Sequence, residues 1–353
     1  MNYYCSKTYI SDLKSALKAV VGINKLKNTS ILITGATGLI GSFIVDMLLT
    51  YNEIEDANIN IYALGRSMKR LSKRFDYAKS NKLVYIEHDV INEPKFLYYF
   101  DYIIHAASNA YPAAFNHDPV GTIMSNILGT KYMLDYGKRF KAKRLLFVSS
   151  GEVYGKCDES IISFDETYSG YIDPIMPRSC YPNSKRAGET LCSSYSKQYG
   201  LDTVIVRPCH TYGPNATESD NRANVQFLNN AINGEDIVLK SPGNELRSYC
   251  YIADCASAIL SVLLNGNCCE AYNIANSQAK ITIAGFAGIV AKLTGRKLVY
   301  ADQNETFLAE RTPIARQVLC TDKIEKLGWR GQYSIEEGIA HTLTILKEIN
   351  CNS

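Results

Sequence analysis

The sequence predicts an α/β fold: a doubly wound parallel sheet with a smaller C-terminal region closing over it. Three observations carry this. Short, almost continuous apolar and β-branched runs alternate with longer helical stretches after Asn28, as strands buried on both faces do. A glycine-rich turn follows the first of these runs directly. Beyond Pro208 the regular alternation gives way to turn-rich segments, Gly213-Pro214-Asn215 and Ser241-Pro242-Gly243-Asn244.

Taken in order, Ile10, Leu13, Leu17 and Val20 or Val21 fall at helical spacing, which predicts an amphipathic helix over Ile10–Val21 ahead of the main domain. The predicted strands are Ile31–Ile33, Ile59–Leu64, Leu83–Ile86, Tyr102–Ile104, Leu145–Val148 and Thr203–Val206. The organisation expected is a helical extension over 1–28, a dinucleotide-binding unit over 29–208, and a substrate-binding region over 209–353 partly interleaved with it. Such a region would cover the carboxyl ends of the strands, where open α/β sheets bind their ligands.

Composition excludes several classes. With 46% hydrophobic and 21% charged residues the chain is ordinary globular material, not disordered or fibrous. A net charge of +3 is too small for the dense basic face of a nucleic-acid binder, and the lysines and arginines are dispersed apart from Lys69, Arg70, Lys73 and Arg74. No apolar run is long enough to span a bilayer, and Lys7, Asp12, Lys14 and Lys18 interrupt any signal-like core, so a soluble protein is expected. Eleven cysteines without CxxC or zinc-type spacing point to a reducing, cytoplasmic setting and to no metal, with Cys268 and Cys269 read as small buried apolar residues.

Directly after Ile31–Ile33 comes Thr34-Gly35-Ala36-Thr37-Gly38-Leu39-Ile40-Gly41, and then the apolar helix Phe43–Leu49. Glycines three and three apart let the chain turn sharply, let backbone N–H groups approach a pyrophosphate, and let the helix pack close to its strand. This predicts a nicotinamide dinucleotide, NAD or NADP, held by Gly35, Thr37, Gly38, Leu39, Ile40 and Gly41. An acid at the end of the second strand would select NAD through the ribose 2′-hydroxyl, but here that strand ends in Gly65-Arg66-Ser67. Arg66 with Ser67, backed by Lys69 or Arg70, could clamp a 2′-phosphate, which tilts the expectation to NADP against a merely solvated arginine. Asp89 and Val90, after the third strand, are placed for adenine, with a helix-capping aspartate as the alternative.

Three segments read as chemistry. Leu145–Val148 runs into Ser149-Ser150-Gly151-Glu152; Tyr181 and Lys185 stand one helical turn apart; and Arg207-Pro208-Cys209-His210 follows the sixth strand. Removing hydride from a sugar alcohol needs a base, and a phenol works near neutral pH only if a cation stabilises its phenolate. That assigns Tyr181 as base, Lys185 as its activator and cofactor anchor, and Ser150 as the group orienting the oxygen. Glu152 adds a carboxylate able to act at C5 or C6 once C4 is a ketone, or else a structural glutamate bonded to backbone.

These residues resemble the extended short-chain dehydrogenase/reductases that process nucleotide sugars, a Rossmann-type group, and most of all the UDP-glucuronate decarboxylases. The similar stretches are Asp165-Glu166-Thr167-Tyr168, Asp173–Tyr181, Lys185-Arg186-Ala187-Gly188-Glu189, Asp118-Pro119 leading to Asn126–Thr130, and Leu246–Ile252. The resemblance implies catalytic roles for Ser150, Glu152, Tyr181 and Lys185. It implies that Ala106, Ala107, Ser108, Asn126, Ser149 and the Pro208-to-His210 turn line the cofactor. It further implies that Arg247 grips the pyrophosphate of a nucleotide-diphosphate sugar, that Arg178, Arg222 and Gln226 lie on the substrate side with Ser150, that Arg316 lies near the sugar, and that the protein is a homodimer. Gly151 departs from the resemblance, standing where those decarboxylases have a hydroxyl residue and the 4,6-dehydratases an aspartate; His210 stands where asparagine is commoner. The expected activity is C4 oxidation followed by decarboxylation or dehydration. A 4-keto-sugar reductase using NADPH, a 4-epimerase, and a non-catalytic dinucleotide-binding regulator are the alternatives.

Overall fold

The structure, a computed structural model, describes residues 2–158, 160–301 and 316–351. Its main sheet contains β1 (Ser30–Thr34), β2 (Asn60–Gly65), β3 (Leu83–Glu87), β4 (Tyr102–His105), β5 (Arg144–Val148), β6 (Thr203–Pro208) and β10 (Ala271–Ile274), all parallel, in the order β3-β2-β1-β4-β5-β6-β10. All six strands read from the sequence are present. Side chains alternate between two helical layers, as the pleat requires. Ile31, Ile33, Leu146, Val148, Val204 and Val206 join the core beneath α2 (Leu39–Glu55) and α8 (Ile252–Asn265), whereas Leu32, Ile103, Leu145, Phe147 and Ile205 face α5 (Pro119–Arg139) and α6 (Cys180–Tyr199). Each such large apolar side chain contributes about 1.5–3 kcal/mol of burial, which is why the strands carry few polar residues.

The seventh strand is the element that reading strand by strand misses. Ala271–Ile274 is only four residues long and gains its strand character from pairing with Ile205–Pro208 at the sheet edge. Just before it, Cys268 and Cys269 are exposed, contrary to the expectation that they are buried. They sit in a turn where Cys269 has φ +63°, and the backbone there turns outward at the sheet edge whatever the side chains would prefer.

The helix expected over Ile10–Val21 spans Lys7–Ala19 (α1) and is capped by Ser6, whose side chain accepts from Tyr9 N. It packs on α2, α8 and the closing helix Ile335–Cys351. Its fully buried Asp12 accepts hydrogen bonds from Tyr251 (2.6 Å) and Tyr333 (3.0 Å) and lies 2.8 Å from His341 Nδ1, so residues from both ends of the chain share one carboxylate.

A second, smaller sheet is built around β9 (Leu246–Tyr251). β11 (Lys280–Thr282) joins it antiparallel, and β7 (His210–Tyr212) and β13 (Arg316–Gln317) join it parallel. α7 (Ala223–Ile232), α9 (Ile283–Thr294) and the parallel pair β8 (Ile237–Leu239) and β12 (Leu298–Tyr300) complete this region. Strand order in the main sheet reverses between β1 and β4, and the small sheet stands over the crevice this opens at the strands' carboxyl ends.

Candidate active site

At that crevice lies a cleft of about 550 Å³, of the size small-molecule sites have. One end is the glycine turn. Gly35 has φ +67°, and a Cβ there would stand 2.9 Å from the backbone N and Cα of Ala107; a Cβ on Gly41 would collide with the carbonyl of Gly35. The turn therefore requires glycine at both positions. α2 begins at Gly38 with no side-chain cap, so its first-turn N–H groups at Leu39, Ile40 and Gly41 open onto the cleft as an anion cradle. Thr34 Oγ1 lies 2.8 Å from His105 Nδ1 and accepts from the N–H groups of Ala106 and Ala107 (3.1 Å each), which fixes the β4 turn against the cradle. These observations fit a dinucleotide pyrophosphate.

Arg66, Ser67, Arg70, Asp89 and Val90 line the same end of the cleft. Ser67 Oγ accepts from Arg70 N and so starts α3 (Met68–Arg74), while Glu87 accepts from Met68 N at 2.9 Å. Asp89 accepts from Ile91 N in a turn; no helix follows it, so it does not cap one. Arg74, from the same basic cluster, points away and pairs with buried Asp46 at 2.6 Å.

At the other end the chemical residues converge. α6 places Tyr181 and Lys185 on one face, both almost fully buried yet on the cleft wall, beside Ser150 and Glu152 from the turn after β5. Tyr181 stacks on Phe115 with centroids 4.5 Å apart. Burial pushes the Tyr181 phenol up to about 12, and Glu152 adds to the rise; a hydrogen bond with Ser150 and the nearby Arg222 and Arg178 pull the other way. The expected depression by Lys185 is thus not something the protein's own groups produce. Lys185 donates instead to Val148 O at 2.8 Å, and burial lowers its ammonium to about 7. Ser150 Oγ accepts from Glu152 N, and Glu152 is held by Arg178 at 3.0 Å.

The expected cofactor and catalytic residues line this one cleft, with one exception. Asn126 is buried behind it, accepting from Ser108 Oγ (2.8 Å) and donating to Ser184 Oγ (2.9 Å), so it ties the end of β4 to α6. Ser149 and Pro208 are on the wall, and Ser149 donates to Glu189, itself doubly bonded to Arg207. His210 also lines the cleft; burial and the nearby Arg247 and Arg222 lower its ring to about 3, so it is neutral.

On the substrate side Arg222 reaches the cleft, chelated by Asp220. Arg178, Gln226, Arg247 and Arg316 stand outside its wall. Gln226 donates to Asn221 O, Arg247 is buried on β9, and Arg316 donates to Ile161 O. Sequence reasoning missed Asp220, Gln317, Tyr111 and the Glu189–Arg207 pair. Arg207 and Glu189 lie inside segments singled out for other residues, whereas Gln317 belongs to a two-residue strand that carries no motif. Among the described residues no group of three or more His, Cys, Asp or Glu side chains is arranged to hold a metal.

Residues 31–275 match the family model described as "NAD dependent epimerase/dehydratase family". The chain belongs to this family. It is 35% identical to UDP-glucuronic acid decarboxylase 3 of Arabidopsis thaliana over 88% of this chain and 87% of that protein. In fold it matches UDP-glucuronic acid 4-epimerase of Bacillus cereus, solved with UDP-glucuronic acid and NAD (TM-score 0.76, 20% identity, 91% of this chain and 99% of that one). It also matches a dTDP-glucose 4,6-dehydratase of Streptomyces venezuelae solved with NAD (TM-score 0.74, 24% identity, 90% and 97%). The expected family, the α/β fold and the expectation of an NAD(P)-dependent nucleotide-sugar enzyme are borne out, with NAD as the dinucleotide.

Proposed function

We propose that this family member oxidises UDP-glucuronate at C4 and releases the C6 carboxylate as carbon dioxide, leaving a UDP-pentose. The observation that carries the reading is the meeting of Ser150, Glu152, Tyr181 and Lys185 at the end of the cleft away from the glycine cradle; the likeness to UDP-glucuronic acid decarboxylase 3 supports the choice of sugar. Bound NAD would supply the hydride acceptor and a positive ring close to the phenol. Tyr181 takes the C4 hydroxyl proton, and Ser150 holds the same oxygen in line. Lys185 braces the turn after β5 through Val148 O and adds positive charge when protonated. With a ketone at C4, the C5–C6 bond breaks heterolytically, its electron pair passing into the C4–C5 enolate. A proton reaches C5 from water that Glu152, held by Arg178, would position; Tyr181 returns its proton to the C4 oxygen as the hydride returns to C4, so the sugar leaves as a pentose with no net redox change.

Incubation with UDP-glucuronate and NAD, read by mass spectrometry, tests this. Loss of carbon dioxide from the sugar is the expected result. Isomerisation at unchanged mass would favour 4-epimerisation, the second reading, which the fold match to the Bacillus cereus enzyme supports.

NADP is accepted alongside NAD in this reading, because Arg66 and Arg70 line the cleft where β2 ends without an acid. A homodimer through α5 and α6 is part of it too, supported by the exposed Val120 and Met124 on α5 and Tyr199 on α6. Light scattering on the purified protein would show twice the chain mass, and a monomer would exclude it.

A further inference from the structure

Gln317 is 2% exposed, yet it lies on the cleft wall and its Nε2 has no hydrogen-bond partner. Leaving a buried amide N–H unpartnered is costly, and a ligand oxygen that accepts from it would make up the loss. Register explains how it arrives there. Gln317 pairs with Arg247 on β9, and His210 pairs with Tyr249, so all four project from one face of the small sheet. His210 Nδ1, the other cleft-lining ring atom on that face, is likewise buried and unpartnered.

The opposing wall has a matching gap. Gly151, between Ser150 and Glu152, has no side chain, and a Cβ built on it would stand 3.4 Å from Gln317 Nε2 and 3.4 Å from Pro208 O. A Cβ there would make ordinary contact with the amide and a longer side chain would press on it, so glycine at 151 leaves the amide its place beside the turn. We infer that Gln317 is the specificity-determining residue for the substituent at C5 of the sugar, its Nε2 donating to an oxygen of the C6 carboxylate. This rests on the reading of the site given above, in which Tyr181 and Ser150 hold O4, so that the next groups along the turn, Gly151 and Glu152, flank C5 and C6.

The choice of a neutral donor suits the chemistry. A guanidinium here would stabilise the carboxylate most in the ground state, and that stabilisation would be lost as carbon dioxide leaves uncharged. An amide orients the group while stabilising its charge less. It also discriminates, because a sugar with only a hydroxymethyl at this position offers a weaker acceptor.

The test is equilibrium binding of UDP-glucuronate and UDP-glucose to the full chain with NADH, which cannot accept the C4 hydride, measured by calorimetry for the wild type, Gln317→Ala and the isosteric Gln317→Glu. Gln317→Glu places a carboxylate against the sugar's own, and affinity for UDP-glucuronate is expected to fall at least about tenfold while UDP-glucose changes less than about twofold. Gln317→Ala is expected to lower the same ratio, with KM for the acidic sugar rising more than kcat falls. NAD binding and melting temperature near wild type show that the variants are folded. An affinity ratio unchanged in both variants overturns the proposal, whether or not the sugar turns over. Turnover by the wild type with an unmoved ratio overturns it alone; failure of the wild type to bind either sugar overturns the decarboxylase reading and this with it.

Discussion

The two ends of the cleft are built by opposite means. The pyrophosphate cradle of the cofactor end is made of backbone: the glycine turn and the uncapped first turn of α2, set by the four residues between β1 and α2, with the Ala106–Ala107 amides fixed against it by one threonine. The substrate end is made of side chains that arrive from far apart in the chain. Ser150 and Glu152 come from one turn, Tyr181 and Lys185 from α6, Arg222 from the start of α7, and His210 and Gln317 from the small sheet. A backbone site recognises a shape common to all dinucleotides, so it tolerates change at most side chains and none at its glycines. A side-chain site can be retuned by one substitution, which suits the end where relatives differ in sugar and reaction.

That contrast can be broken in several ways. Tyr181→Phe removes one oxygen from the side-chain end and is expected to cut turnover by at least about 10³-fold with NAD affinity nearly unchanged, since general-base catalysis contributes about 10²–10⁴-fold. Single-turnover kinetics with fluorescence titration of NAD would read both, and surviving turnover would remove the phenol from the mechanism. At the backbone end, Gly35→Ala is expected to do the reverse, weakening NAD binding and lowering stability by about 1–3 kcal/mol, because neither the left-handed φ nor the Ala107 backbone can yield. Urea denaturation and NAD titration measure it, and normal NAD affinity would mean that the cradle is not the site.

Lys185 sits where the two ends meet, and its burial makes a pH signature. Its ammonium is lowered to about 7 from 10.5, so between those values the unfolded chain binds more protons than the folded one. Its contribution therefore makes unfolding free energy rise with pH across that window and penalises the folded state below it. Lys185→Met should flatten the rise seen in urea denaturation between pH 7 and 10; an unaltered slope would place the lysine in contact with water. The smallest effect expected is that of Arg66→Ala, a loss of about tenfold in NADP affinity with NAD within about twofold. Equal losses would remove the 2′-phosphate contact.

The strands and the glycine turn were legible because each is a local signal: apolar runs of strand length and a motif whose spacing carries its own geometry. So were Tyr181 and Lys185, which one helical turn brings together. Ala271–Ile274 was not legible, since an edge strand of four residues is recognisable only beside Ile205–Pro208. The outward turn at Cys268 and Cys269 and the burial of Asp12 under Tyr251, Tyr333 and His341 were hidden for the same reason.

What the sequence by itself determined, then, is the parallel sheet, the glycine turn and the placing of Tyr181 and Lys185 on one helical face, because hydrophobic periodicity and short-range backbone geometry act within a few residues. Only the tertiary structure decided that Arg178 holds Glu152, that Asn126 braces the wall without lining it, and that Gln317 lies beside Gly151. Those relations depend on strands and helices up to 166 positions apart in the numbering meeting at one crevice, and on burial that raises the phenol and lowers the ammonium once they meet.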